Sequence, residues 1–120
     1  TVLDLATTHP YLVGFSGGFS DGTYGYLVPY TKGKVARFDL ATFTNVDVLD
    51  LTTGIEIHQS FEGGFSHGSS GYLVPRSGSD ANRGTLVRFD LPSFGVDSIT
   101  YENLLDLDSD LSGFSGGFSD

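Results

Sequence analysis

The chain has 120 residues, of which 38% are hydrophobic and 18% charged, and its formal net charge is −9 at pH 7. Cys, Met and Trp are absent, which excludes a disulfide-stapled miniprotein and a Cys-based zinc site. The negative charge argues against nucleic acid as a partner. No apolar run reaches the roughly 18 residues that a membrane span requires, so membrane insertion is not expected.

The chain begins with residues 1–16, which we interpret as the end of one repeat and its connection to the next. The VLDL run at 2–5 recurs at 48–51 and, more loosely as LLDL, at 104–107. The last match implies that residues are inserted before Asp106. Because the chain does not begin with Met, we expect a mature product or an excerpt of something longer.

Residues 17–62 are predicted to form the first complete repeat. Four strand-like runs, rich in Val, Leu, Phe and Tyr and bounded by turn residues, read GFSGGFS, YGYLVPY, KVARFDL and VDVLDL. Between the first two, Asp21-Gly22 is a signal for a type I′ hairpin turn. Alternation along the fourth run predicts that Leu49 and Leu51 face the core.

Residues 63–115 are predicted to form a second repeat, and 116–120 the start of a third. The segment GGFSHGSSGYLVPR at 63–76 matches GGFSDGTYGYLVPY at 17–30 in ten of fourteen positions. Five extra residues lie within SGSDANRG at 77–84. Because length changes concentrate in surface connections, we expect this segment to be an exposed, mobile loop.

Four short strands in each repeat of about 46 residues are typical of a propeller blade. We therefore predict an all-β fold of four-stranded antiparallel blades in a β-propeller-like arrangement, with a stacked β-solenoid or filament as the alternative. Seven recurring apolar residues are expected to lie buried between blades: Phe19, Phe65, Phe118, Leu27, Leu73, Phe38 and Phe89.

The units GGFSDGTYGYLVPY, KVARFDL and VLDL resemble the tandem repeats of long secreted or surface proteins of algae and other protists. The resemblance covers nearly the whole chain. It implies propeller-like repeats in an extracellular or cell-surface protein, and it brings no active site with it. The second copy departs from the repeat pattern at His67, Ser69, Ser70 and Arg76.

A metal site is suggested near the end of the chain, where Asp106, Asp108 and Asp110 alternate in LLDLDSDLSG. Carboxylate oxygens at every second position could bind calcium. The complete twelve-residue calcium-loop pattern is missing, so a solvated strand end is the competing interpretation.

No catalytic residue and no further cofactor site is predicted. The sequence has no Walker motif and no GxGxxG. The pattern GxSxG occurs at 14–18, 18–22, 64–68 and 113–117, but no helical pattern follows any of these matches, so none has the strand-to-helix context of a nucleophile elbow. His9, His58 and His67 lie far apart in the sequence and form no HxH or HExxH pair. We therefore expect that the protein is not an enzyme.

Two repeated charge pairs, Arg37 with Asp39 and Arg88 with Asp90, lie on one strand face at spacing i, i+2. We expect them to bridge to an adjacent strand or blade rather than to grip a ligand. The tyrosines could supply either core packing or a sugar-stacking surface, and they are Tyr11, Tyr24, Tyr26, Tyr30, Tyr72 and Tyr101.

These observations favour a structural and assembly repeat module, extracellular or surface-exposed, whose partners are copies of itself or further repeats of the same chain. Filament formation is expected, because head-to-tail contacts that do not close give open polymers. The first alternative is a lectin-like propeller that binds glycans. The second is a fragment of a propeller hydrolase.

Overall fold

The computed structural model describes residues 2–8, 10, 12–30, 33–52, 61–75, 84–104, 107–108 and 117–118. The first sheet consists of β1 (Phe15–Ser20), β2 (Tyr24–Pro29), β3 (Lys34–Asp39) and β4 (Thr44–Asp50). The second consists of β5 (Phe61–His67), β6 (Ser70–Pro75), β7 (Thr85–Asp90) and β8 (Thr100–Asn103). One helical turn, α1 (Leu5–Thr8), precedes the first sheet, and a 3-10 turn spans Val96–Ser98.

Each sheet is an antiparallel meander whose strands pair in chain order, β1-β2-β3-β4 and β5-β6-β7-β8. The sheets remain separate and pack against each other, with β1 of the first beside β5 of the second. This arrangement confirms the predicted all-β, propeller-like blades. A solenoid would instead join successive repeats through continuous strand pairing, which the described strands do not show. We call the two sheets blade 1 and blade 2.

The hairpin at Asp21 is tight, but it is not the predicted type I′ turn. Of its two central residues only Gly22 has a positive φ, at 93°, whereas type I′ requires positive φ at both. The Asp21 carboxylate accepts hydrogen bonds from the backbone N–H groups of Thr23 and Tyr24 at 2.9 and 2.8 Å. Blade 2 repeats the positive φ at Gly68.

The last strand of blade 2 corrects the sequence alignment near the end of the chain. The N–H of Leu104 donates to the carbonyl of Gly84 at 2.8 Å, just as Leu51 donates to Gly33 at 2.8 Å. Leu104 is therefore the structural equivalent of Leu51, and the match with LLDL at 104–107 was displaced by three residues.

The core is shared between the blades rather than confined to either one. Leu49 and Leu51 are buried as predicted, and they belong to one cluster with residues of blade 2. The cluster comprises Tyr26, Val28, Val35, Leu49, Leu51, Phe61, Leu73, Val87, Phe89, Leu91 and Phe94. Neither blade therefore buries its apolar side chains without the other.

The predicted burial of the repeated residues is confirmed only in part. Leu73 and Phe89 are fully buried. Their blade 1 equivalents, Leu27 and Phe38, are half-buried, as are Phe19 and Phe65. For Phe118 the prediction was wrong: its side chain is 88% exposed.

Two further predictions concern the ends and the loop. The run at 2–5 is not a strand: Asp4 turns the chain into α1 by accepting hydrogen bonds from Ala6 and Thr7. The predicted loop at 77–84 lies outside the described residues except for Gly84, which is buried rather than exposed.

Candidate functional site: the contact between blades

A row of three side chains crosses blade 1 and faces blade 2. The register pairs Phe19 with Tyr26 and Tyr26 with Arg37, so the three residues lie side by side on one face. The rings of Phe19 and Tyr26 stack at 5.0 Å between centroids with an interplanar angle of 13°. We call this set the clamp row of blade 1.

Blade 2 covers this row with aromatic rings and with glycine. Phe89 and Phe94 lie against Tyr26, with ring centroids 6.3 and 5.8 Å away. A Cβ built on Gly64 would lie 3.0 Å from the ring of Phe19. The recurring Gly-Gly-Phe segments are thus packing elements, in which glycine in one blade makes room for phenylalanine of the other.

Arg37 makes three kinds of contact, and two of its partners, Leu91 and Phe94, belong to blade 2. Its Nη1 donates a hydrogen bond to the carbonyl of Leu91 in blade 2 at 2.8 Å. Its Nε donates to Asp47 on the neighbouring strand at 3.2 Å. The guanidinium lies over the rings of Tyr24 and Phe94, 4.3 and 4.5 Å from their centroids, where the negative π faces attract a cation.

This geometry confirms that Arg37 bridges both to an adjacent strand and to the adjacent blade. The expectation for the aspartates was wrong. The carboxylate of Asp39 instead caps the following turn by accepting from the N–H groups of Ala41 and Thr42. Asp90 does the same by accepting from Ser93 at 2.9 Å, and this hydrogen bond lowers the pKa of Asp90.

Tyr26 is tied to the blade rim as well as to the core. Its hydroxyl donates to the Asp21 carboxylate at 2.8 Å. Burial, and then this hydrogen bond, raise the pKa of Tyr26. Burial alone would raise the pKa of Asp21, but its hydrogen bonds from Tyr24, Thr23 and Tyr26 outweigh burial and lower that pKa. At neutral pH the pair is therefore a neutral phenol held by a carboxylate.

Blade 2 carries a second clamp row, made of Phe65, Tyr72 and Arg88. Phe65 and Tyr72 stack at 5.1 Å and 14°, the same geometry as in blade 1. Arg88 is exposed and donates through Nε to the Thr100 hydroxyl at 3.2 Å. Around this row lies an open depression, lined by Tyr72, Leu86, Arg88, Thr100, Tyr101 and Glu102.

Blade 1 carries a partly exposed apolar face on the side opposite its clamp row, which we call the socket face. Its residues are the repeat equivalents of Gly64, Gly71, Leu73, Phe89, Leu91 and Phe94 in blade 2, and they are Gly18, Gly25, Leu27, Phe38, Leu40 and Phe43. Leu40 is 44% exposed, whereas its equivalent Leu91 is 3% exposed. Phe43 is 37% exposed, whereas its equivalent Phe94 is 7% exposed. The difference measures what the cover of a neighbouring blade removes from water.

The predicted calcium site at Asp106, Asp108 and Asp110 stays a prediction, because the structure describes only one of its three residues. Asp106 and Asp110 lie outside the described residues, and Asp108 is exposed. In the part of the chain that the structure describes, no three His, Asp or Glu side chains are grouped to hold a metal ion. Of the histidines, only His67 is described, and it is exposed at the end of β5.

One ion pair of blade 1 links two neighbouring strands. Lys34 and Asp50, which are directly opposite in the β3–β4 register, form an ion pair at 2.6 Å. Asp50 also accepts hydrogen bonds from Thr52. The ion pair therefore links β3 to β4. Among the described residues, no helix is long and apolar enough to span a membrane.

No protein-family model and no curated protein sequence matches this chain. Among solved structures, the chain is similar to a protein from cow pea described as the hemopexin fold protein CP4. The two chains are 18% identical, with a TM-score of 0.47. The match covers 97% of this chain and 59% of the cow pea chain, so this chain spans about three fifths of that protein's length.

Proposed function

We propose that this chain is a structural and assembly module without enzymatic activity, belonging to an extracellular or surface protein. The observation that carries the proposal is where the repeated residues lie. The clamp row and its cover are the most strongly recurring features of the sequence, and they are engaged in packing one blade on the next. The extracellular or surface location rests on the resemblance to algal and protist repeat proteins.

A double-mutant cycle between Phe19 and Phe94 tests whether packing between the two blades stabilises the fold. Each residue is replaced by Ala singly and together, and the free energy of unfolding is measured by urea denaturation. Because both residues pack against Tyr26 from different blades, we expect a coupling free energy of about 1 kcal/mol. Phe43, the blade 1 equivalent of Phe94, is the matched control, and its cycle with Phe19 should give a coupling near zero. Equal coupling in the two cycles would contradict the proposal.

Glycan binding is the second candidate, and the depression beside Arg88 favours it. Tyr72 and Tyr101 offer rings for stacking on a sugar, while Arg88 and Glu102 offer polar contacts. A glycan array probed with the protein and with the Tyr101→Ala variant decides between the candidates. Binding that the variant loses would support a lectin. No binding, together with strong coupling between the blades, would support the structural module.

A further inference from the structure

We propose that the socket face of blade 1 binds blade 2 of a second copy of this chain, head to tail. Arg88 of one copy would then donate to the Leu40 carbonyl of the other and lie over its Phe43 ring. This inference rests on the proposed structural role and names the partner. It takes as its template the contact that the chain already makes between its own two blades.

The clamp residues are chemically identical in the two blades. Phe65, Tyr72 and Arg88 repeat Phe19, Tyr26 and Arg37, and the register that aligns them is also repeated. The stacked ring pairs differ by only 0.1 Å and 1°. The row on blade 2 is thus already shaped to dock, which reduces the entropic cost of association.

The receiving surface is preformed as well. The ring of Phe38 lies over Gly25, and a Cβ there would come within 2.6 Å of Cζ, the same distance as for Phe89 over Gly71. Phe43 has a left-handed backbone with φ of 56°, and Phe94 has φ of 47°. Such φ values are rare for a bulky residue, so the same uncommon backbone conformation positions this ring in both blades.

The proposed hydrogen bond acceptor is the Leu40 carbonyl, and the turn that carries it is held by the same backbone hydrogen bond as the equivalent turn in blade 2. The N–H of Leu40 donates to the backbone carbonyl of Thr23 at 3.0 Å, and the N–H of Leu91 donates to the backbone carbonyl of Ser69 at 2.8 Å. In blade 2 this turn directs the Leu91 carbonyl to Arg37. The matching turn in blade 1 offers the Leu40 carbonyl to an arginine from outside, and Arg88 is the repeat equivalent of Arg37.

One segment of the chain competes with the second copy. A Cβ on Gly117 would lie 2.8 Å from the Phe65 ring, much as one on Gly64 would lie 3.0 Å from Phe19. Gly117 therefore occupies the place that Gly18 of a second copy would take. Association must displace this segment. Gly117→Val, which clashes with Phe65 and Val74, should favour association.

Sedimentation of the 120-residue chain and four variants tests the contact. Conditions are about 0.15 M ionic strength, where repulsion between two copies of charge −9 is screened beyond about 8 Å. Wild type should form oligomers that grow with concentration, and Gly117→Val should form them at lower concentration. Arg88→Ala and Leu40→Asp should each raise the dissociation constant at least about tenfold. Val13→Asp, at a similarly exposed apolar residue outside the socket face, is the control and should match wild type.

The decisive experiment mixes the two variants that should associate weakly, Leu40→Asp and Arg88→Ala. The Leu40→Asp chain keeps an intact clamp row, and the Arg88→Ala chain keeps an intact socket face. An equimolar mixture should therefore form a dimer that grows no further. A mixture that stays monomeric, or variants that associate like wild type, would overturn the proposal. Strong Phe19–Phe94 coupling in the same preparations would show that the structural module survives while the second-copy contact fails.

Discussion

Arg37 and Arg88 stand in the same RFDL motif, but their surroundings in the fold differ. Arg37 donates to Leu91 in the other blade and lies over two rings, whereas Arg88 is exposed. A motif alone thus does not determine what an arginine contributes to stability. The position of the neighbouring blade does.

Replacing Arg37 by Ala should lower the free energy of unfolding by about 2 kcal/mol. The loss combines a charged hydrogen bond that is partly buried with a cation–π contact. Arg88→Ala in dilute protein is the matched control and should cost less than about 0.5 kcal/mol, as is usual at exposed sites. Urea denaturation of both variants gives the comparison. Equal losses would mean that Arg37 does not couple the blades.

Asp50 should make the stability of the protein sensitive to acid. Burial acts to raise its pKa, but hydrogen bonds from Lys34 and Thr52 outweigh burial, and the pKa falls below the ordinary value of 3.8. A carboxyl with a lowered pKa in the folded state stabilises above its unfolded pKa. That contribution is lost as the pH falls through the folded pKa.

The Asp50→Asn variant should therefore be less stable than wild type above about pH 5, by about 0.5–1 kcal/mol for a partly exposed pair. The difference should shrink as the pH falls below about 4, which thermal unfolding measured across this range would show. Asp97→Asn, in the exposed 3-10 turn, is the control. A stability difference that stays constant with pH would show that the Asp50 charge is not the cause.

At the scale of the strands, a comparison of Phe38 with Phe89 distinguishes burial by the neighbouring blade from burial within a single sheet. Both rings lie over a glycine of their own blade, but only Phe89 is also covered by Phe19 and Tyr26. Phe89→Ala should cost about 3–5 kcal/mol, because a fully buried ring leaves a cavity. Phe38→Ala should cost less than half as much by the same denaturation measurement. Similar losses would place the main contribution within each sheet.

Sequence periodicity predicted the blades and the buried face of β4, because these follow from local alternation and from the repeat itself. It misplaced the equivalent of Leu51, since LLDL resembles VLDL more than the true partner segment does. The hydrogen bond from Leu104 to Gly84 identifies the register, and so does the pairing of Thr85 with Asn103, which matches that of Lys34 with Asp50. In a chain rich in Leu and Asp, several short segments resemble one another, whereas the hydrogen bonds between paired strands specify a single alignment.

The burial of individual repeat residues was less predictable from sequence. Tyr26 is buried, while Tyr72 in an identical GYLVP segment is half-buried. Tyr26 is buried because Phe89 and Phe94 of blade 2 pack against its ring. Such asymmetry is a property of the whole molecule, so no window of sequence contains it.

At the scale of the whole molecule, the two blades should unfold together in a single transition. Their buried side chains form one cluster, with Tyr26, Val28 and Val35 from blade 1 and Phe61, Phe89 and Phe94 from blade 2. Opening either blade would expose the apolar surface of the other, so a half-folded state should not accumulate. Far-UV and near-UV circular dichroism, reporting the strands and the packed rings respectively, should give coincident urea transitions. Val35→Ala in blade 1 should shift both signals equally, since its effect must pass through the shared core, and amide hydrogen exchange in β7 should accelerate with it. If blade 2 amides kept their wild-type exchange rates in this variant, the blades would be independent folding units joined only by the chain.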